Sequence, residues 1–227
     1  YMAIAFDATN SKNDSTIAVL TQTWSHTCTG SNRLLFVGVS FDSAGLSISS
    51  VTYAGTNLTL IRTDENTAIS RSSSIWYLVA PATGANDIVV TYSNDTVCIS
   101  GSISLTGVAQ TGSLDANNGA IGVDITASVV VTTVADNAWV LDTMAANSSF
   151  GWTVGAGQTQ RWNVIPSASV DGGGSTEGPK TPAGAVTMSW SVGQPGGTDW
   201  AISAASFAPA VAGGATHPGW MADRGWF

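Results

Sequence analysis

Nucleophilic catalysis needs a base beside a serine or cysteine, and His26 and His217 are the only histidines in 227 residues. His26 lies between Ser25 and Thr27 in a strand-like run, and His217 follows a Gly-Gly pair near the end. Neither belongs to a motif, and no Gly-x-Ser-x-Gly elbow occurs, so His26 reads as a sheet-face residue rather than a base. Glycoside hydrolysis would need two carboxylates flanking one bond. The two glutamates, Glu65 and Glu177, fall in different turn-rich stretches and read as solvated loop residues.

Metal chemistry is equally sparse. Two histidines and two separated cysteines make no zinc site. Hard oxygen donors do cluster twice: Asp7, Asn10, Asn13 and Asp14 near the start, and Asp115, Asn117, Asn118 and Asp124 later. These are candidate calcium ligands, Asp7, Asn10, Asp115 and Asn118 foremost, although the spacing is not that of an EF-hand and Asx side chains capping turns account for them as well. Gly172-Gly173-Gly174 lacks the following Lys-Ser/Thr of a phosphate loop. The expectation is no cofactor, with calcium the one ion the residues admit.

Nine tryptophans offer a different chemistry, stacking on sugar rings. Trp24, Trp76, Trp139, Trp190 and Trp200 stand in strand-like runs and read as core. Trp152 and Trp162 flank Gly155-Ala156-Gly157-Gln158-Thr159-Gln160-Arg161 and are the candidates for an exposed glycan platform, packing under a loop being the other reading. Cys28 and Cys98 are 70 positions apart; bonded, they would close a loop worth roughly 4 kcal/mol, and unbonded they are buried thiols. Sequons at Asn13, Asn57, Asn94 and Asn147 permit glycosylation in a secreted setting.

The elements that must position these residues are strands. Turn signals separate apolar runs near 3–7, 16–28, 33–41, 49–54, 57–63, 73–80, 87–93 and 97–108, and again near 122–134, 137–144, 158–164, 185–191 and 199–208. Val97, Ile99, Ile103 and Leu105 alternate with small or polar neighbours, a period of two. The stretch 167–184, with its glycine triplet, reads as a long surface loop in place of a strand. No helical periodicity of useful length occurs.

The strand pattern is written twice. Phe6-Asp7-Ala8-Thr9-Asn10 returns as Leu114-Asp115-Ala116-Asn117-Asn118, and Asn32 to Val37 returns as Asn137 to Asp142. Ile88 to Ser93 matches Val186 to Ser191, and Ser104-Leu105-Thr106-Gly107-Val108 matches Ser206-Phe207-Ala208-Pro209-Ala210. The offsets are 108, 105, 98 and 102, about one small domain. The chain is therefore expected to be all-β, with two tandem duplicated, jelly-roll-like β-sandwich halves at 1–110 and 111–210. A tail at 211–227 has no counterpart. Trp220, Met221, Trp226 and Phe227 make it too apolar to stay in water, and it is expected to dock.

Composition excludes several partners. Charged residues are 10%, against roughly 25% in ordinary domains. A net charge of −8 with seven scattered Lys and Arg offers nothing to nucleic-acid phosphates. No run of 18 or more apolar residues suggests membrane insertion, and the first residues lack a signal-peptide pattern.

Met2 to Asp7, Trp24 to Leu35, Trp76 to Gly84 and Gly157 to Trp162 resemble a group of mostly uncharacterised β-sandwich proteins of tailed phages and bacterial environmental sequences. The resemblance covers about residues 2–210 and implies structure without catalytic residues. The expected function is a non-enzymatic structural subunit at a virion surface, as a decoration or tail-fibre protein, or of an extracellular filament, partnered by copies of itself or other structural proteins. A carbohydrate-binding module using Trp152, Trp162 and the 167–184 stretch is the alternative, with glycans as partners, and a hydrolase ranks third.

Overall fold

A computed structural model describes residues 2–148, 150–165 and 170–211. The tail residues Trp220, Met221, Trp226 and Phe227, and His217, lie outside the described residues. The structure is all-β, and among the described residues there is no helix. The first half comprises β1 (Ala5–Cys28), β2 (Leu34–Asp42), β3 (Ile48–Tyr53), β4 (Thr56–Asn57), β5 (Thr59–Asn66), β6 (Arg71–Val79) and β7 (Gly84–Thr106). The second comprises β8 (Leu114–Asp124), β9 (Thr126–Thr132), β10 (Ala138–Ala146), β11 (Trp152–Val154), β12 (Thr159–Val164), β13 (Asp171–Lys180), β14 (Ala185–Val192) and β15 (Thr198–Phe207).

β1 and β7 are long because each serves two layers. The early part of β1 pairs with the late part of β7, from Ala5 opposite Thr106 to Asp14 opposite Cys98. Past a bulged corner, Thr21 to Cys28 pair with Thr91 to Gly84. This two-stranded ribbon bends over the edge of the sandwich, so one hydrogen-bonded sheet supplies both faces. An inner sheet of order β5-β6-β2-β7-β1 lies against an outer one of β4-β3-β7-β1. Between them Trp24, Val37, Val39, Phe41, Tyr53, Trp76 and Val90 form a buried core.

The second half has the same strand order with the ribbon interrupted at its corner. Its inner sheet runs β12-β13-β10-β15-β8 and its outer sheet β11-β14-β9. Val129, Met144, Trp152, Met188, Trp190 and Ile202 fill the space between. The registers agree as well: Gly38 sits between Ile75 and Gly101, and Thr143 between Gly174 and Ser203.

The two inner sheets stack back to back, giving four layers and a third core. Leu34, Phe36, Ile75, Ile103 and Leu105 meet Leu141, Trp162, Ala205 and Phe207 there. β5 lies against β8, β6 against β15, β2 against β10, and β1 against β12, so strand order is reversed across the interface. Gly38 and Thr143 occupy corresponding positions and also touch each other, as a residue does on the axis of an isologous interface. Polar contacts cross directly: Ser40 Oγ donates to the Met144 carbonyl at 2.8 Å, and Ser73 Oγ to the Thr143 carbonyl at 2.7 Å. A serine is short, so hydroxyls reaching the facing backbone bring these sheets closer than the usual ~10 Å.

Three sequence expectations fail here. The Asx-rich stretch 8–15 is strand rather than turn, because its neighbour in β7 supplies a ladder that overrides its weak propensity. Residues 171–180 are not a surface loop but β13, a central strand whose glycine triplet, Gly172 to Gly174, is buried. Glycine is needed there: a Cβ at Gly174 would fall inside the Trp162 ring, and one at Gly173 would stand 2.9 Å from Trp190. Glu65 and Glu177 accordingly lie in strands β5 and β13, not in loops.

Candidate functional site

The most chemistry-like cluster grows from β1 and β7. Trp24 and His26 alternate inward on β1, and Ser102 and Ser104 do so on β7, which puts all four on the same face of the ribbon. Trp24 Nε1 donates to Ser102 Oγ at 3.1 Å, Ser102 Oγ lies 2.8 Å from His26 Nδ1, and His26 Nε2 lies 3.0 Å from Ser104 Oγ. Ser104 Oγ donates to Asp7 Oδ2 at 2.7 Å. Asp7 also accepts from the Thr29 amide at 2.9 Å and from its hydroxyl.

Counting protons fixes the tautomer. Ser104 has one hydrogen, directed to Asp7, so His26 must donate from Nε2; in the neutral ring Nδ1 then accepts the one hydrogen of Ser102, at 2.8 Å a nearer acceptor than the Asn10 carbonyl at 3.3 Å, and Ser102 accepts from Trp24. The imidazole is neutral and both its nitrogens are occupied. Burial drives the His26 pKa down to about 4, against the opposing pull of Asp7. At Asp7 burial works the other way, but the hydrogen bonds from Thr29 and Ser104 outweigh it and hold the carboxyl below its ordinary value.

Serine, histidine and aspartate in a row suggest a nucleophile relay, but the geometry closes it to substrate. His26 is 2% exposed, and Ser102 and Ser104 are fully buried between sheets. Because the folded pKa of His26 lies below its unfolded value near 6.5, its contribution to stability is complete above that pH and lost as pH falls through about 4. The loss is about 3 kcal/mol. Nitrogen-detected NMR of the imidazole should show a neutral Nε2–H ring at pH 6; titration near 6.5 would contradict the sealed network.

The second half keeps only the anchor of this arrangement. Asp115 accepts from the amides of Val134 and Ala135, both at 2.9 Å, and from Ser206 Oγ at 2.9 Å, as Asp7 does from Thr29 and Ser104. Asn10 and Asn118 also match: each donates to a carbonyl of the returning strand, Ser25 or Val130, and each accepts the amide of the next residue. The four foremost calcium candidates thus tie outgoing to returning strands with their own polar atoms. Among the described residues no three His, Cys, Asp or Glu gather as a metal site.

Two further buried carboxylates were not singled out from sequence. Asp142 accepts from the Ser175 amide at 2.7 Å, from Ser175 Oγ at 2.8 Å and from Trp190 Nε1 at 2.8 Å. Asp171 accepts from the Ser148 amide at 2.8 Å and from Trp152 Nε1 at 3.0 Å. Burial pushes both up to about 6, partly offset at Asp142 by Ser175 and Trp190 and at Asp171 by Trp152 and Ser148. The signal available in sequence was an acid inside the apolar run Val140-Leu141-Asp142. By register, Val37, Trp76 and Tyr92 of the first core stand where the second has Asp142, Ser175 and Trp190.

The exposed aromatic platform is absent at the expected positions. Trp152 is 3% exposed and closes the second core. Trp162 is 5% exposed and lies between Gly101 and Gly174 at the interface of the halves. The possible Cys28–Cys98 bond is absent too, since both thiols are free and buried. Cys28 neighbours Ser104, six residues along β7 from Cys98, which separates the sulfurs by roughly 20 Å at strand rise, far beyond disulfide reach. Burial pushes the Cys98 thiol up to about 12, leaving it inert.

Surface clefts among the described residues offer little more chemistry, and two of them lie on the first half. One, of about 390 Å³, is open and acidic at Asp42 and Asp95, but Asp42 is already paired with Arg71 at 3.0 Å. The other, of about 200 Å³, enters the first core between Phe41, Leu46, Ile48, Leu60 and Trp76. No family model matches the chain, and no curated protein matches it at a significant level.

Proposed function

We propose that this chain is a non-enzymatic structural subunit of a surface assembly, a virion decoration or tail-fibre protein, with an extracellular filament subunit as the second setting. The observation that carries the reading is that each reactive-looking cluster described above is sealed between sheets and used as architecture. His26, Ser102, Ser104, Asp142 and Asp171 are all buried and hydrogen-bonded internally. The outer face also favours association: Ile121, Val123, Ile125 and Val130 are exposed along β8 and β9, more apolar surface in one place than a lone strand needs. β8 is an edge strand of its sheet, a natural place for a neighbour to add. The resemblance to phage β-sandwich proteins supports the virion setting, and the shared strand order of the halves supports their origin as copies of one segment.

Electron microscopy and light scattering of the purified full chain test this reading. Ordered particles or filaments, growing with concentration, are the expected result. A monomer at every concentration would overturn it.

A further inference from the structure

The two sandwiches differ at one mouth, and the difference has the shape of a side chain. In the second half the gap between β11 and β13 is closed by Trp152, whose indole packs with Trp190, Val192 and Ile165 and donates to Asp171. By strand register the counterparts of Trp152, Asp171 and Ile165 in the first half are Leu46, Ser72 and Glu65. Leucine is smaller than tryptophan, and the cleft of about 200 Å³ opens beside it, floored by Phe41 and Trp76 and edged by Leu60, which is 46% exposed. The second half therefore shows what the first lacks, an indole-sized group with a donor directed toward the Ser72 position.

We propose that this cleft receives an aromatic side chain from the C-terminal segment 212–227 of a second copy of the chain. The segment carries Trp220, Trp226 and Phe227, with Arg224 available to the Glu65 carboxylate at the rim. It starts from Val211, exposed beside Asn32 and Gln110 at the beginning of β2. The cleft opens at the other end of β2, at Phe41, about 25 Å away at strand rise. Seated on a second copy, the segment would join opposite poles of successive subunits, a head-to-tail contact that repeats into a ring or filament. This inference rests on the self-assembling reading above and supplies its contact.

The test uses the full chain carrying Trp220→Ala, Trp226→Ala and Phe227→Ala, so that its own tail is disabled. Fluorescein-labelled synthetic peptide 212–227 is titrated into it and followed by anisotropy. Saturable binding is expected, weakened at least about tenfold by Leu46→Trp, which grafts the plug of the other half. Leu60→Arg, at a position already half in solvent, should weaken it comparably without touching the core. No saturable binding, or equal binding by all three proteins, overturns the proposal. So does an unmodified full chain that stays monomeric and refuses the peptide while the tail variant accepts it, since the tail then folds back on its own cleft. Full chain with Leu46→Trp that still assembles sinks the cleft and leaves the structural reading standing; a wild-type chain that never assembles removes that reading itself.

Discussion

Gly38→Ala is expected to cost about 3 kcal/mol of stability, with Thr143→Gly in the same molecule returning most of it. An added Cβ at Gly38 would fall on Thr143 Oγ1 and 2.9 Å from Thr143 Cβ, in the middle of an interface whose backbones are already linked by serine hydroxyls. Over-filling a packed core typically costs 1–3 kcal/mol, and the sheets cannot separate without breaking the flanking hydrogen bonds, so the upper end applies. Because the two residues are counterparts, exchanging glycine and side chain between them changes which half supplies the atoms. Gly193→Ala, at a site with nothing within 4 Å of the new Cβ, is the control and should stay within about 0.5 kcal/mol. Guanidinium unfolding measures all three; a Gly38→Ala protein as stable as wild type would mean that the sandwiches do not press together at that point.

Asp171→Asn is expected to stabilise the protein by about 3 kcal/mol at pH 8 and to change little at pH 4. The carboxyl is fully buried, and its folded pKa, about 6, lies above the ordinary 3.8. A raised folded pKa contributes stability that is complete below the unfolded value and lost as pH climbs through about 6. Two units of difference amount to about 3 kcal/mol. Asparagine fits the site: its oxygen can take the place of Oδ2, accepting from Ser148 and Trp152, while Oδ1, which has no partner, is where the amide nitrogen would go. The orphaned amide lowers the gain somewhat, but less than an ionised carboxylate in the same place. Chemical unfolding at the two pH values decides it, and equal wild-type and variant stability at pH 8 would contradict a carboxyl strained by burial. His26 runs in the opposite sense, so acid should loosen the first half as it tightens the second.

The all-β class was legible from composition and turn signals, and the polar markers noted in the sequence have matching roles: Asp7 and Asp115, or Asn10 and Asn118, make corresponding hydrogen bonds in each half. Alternation in Val97 to Leu105 was also legible as a strand. What alternation alone could not tell is that both faces are buried: Ser100, Ser102 and Ser104 turn to the core of their own sandwich, and Ile99, Ile103 and Leu105 to the other sandwich. β13 was illegible because glycine propensity argues against a strand, while the tryptophan rings that require glycine come from distant positions. The same distance hid the network at His26, whose partners lie 76 and 78 residues away. Trp152 and Trp162 misled for a related reason, since flanking glycines mark surface loops and close ring packing alike.

The seam near the chain ends carries one more consequence. The Met2 amide donates to the Ala210 carbonyl at 2.8 Å, and Val108 and Pro209 form a bridge, with Ala109 donating to Ala208 at 2.9 Å. Beginning, middle and end of the described chain therefore meet at a single knot. A polypeptide joined there and reopened between the sandwiches would present the same atoms to the same neighbours, so which sandwich is translated first is a fact of the gene and not of the fold.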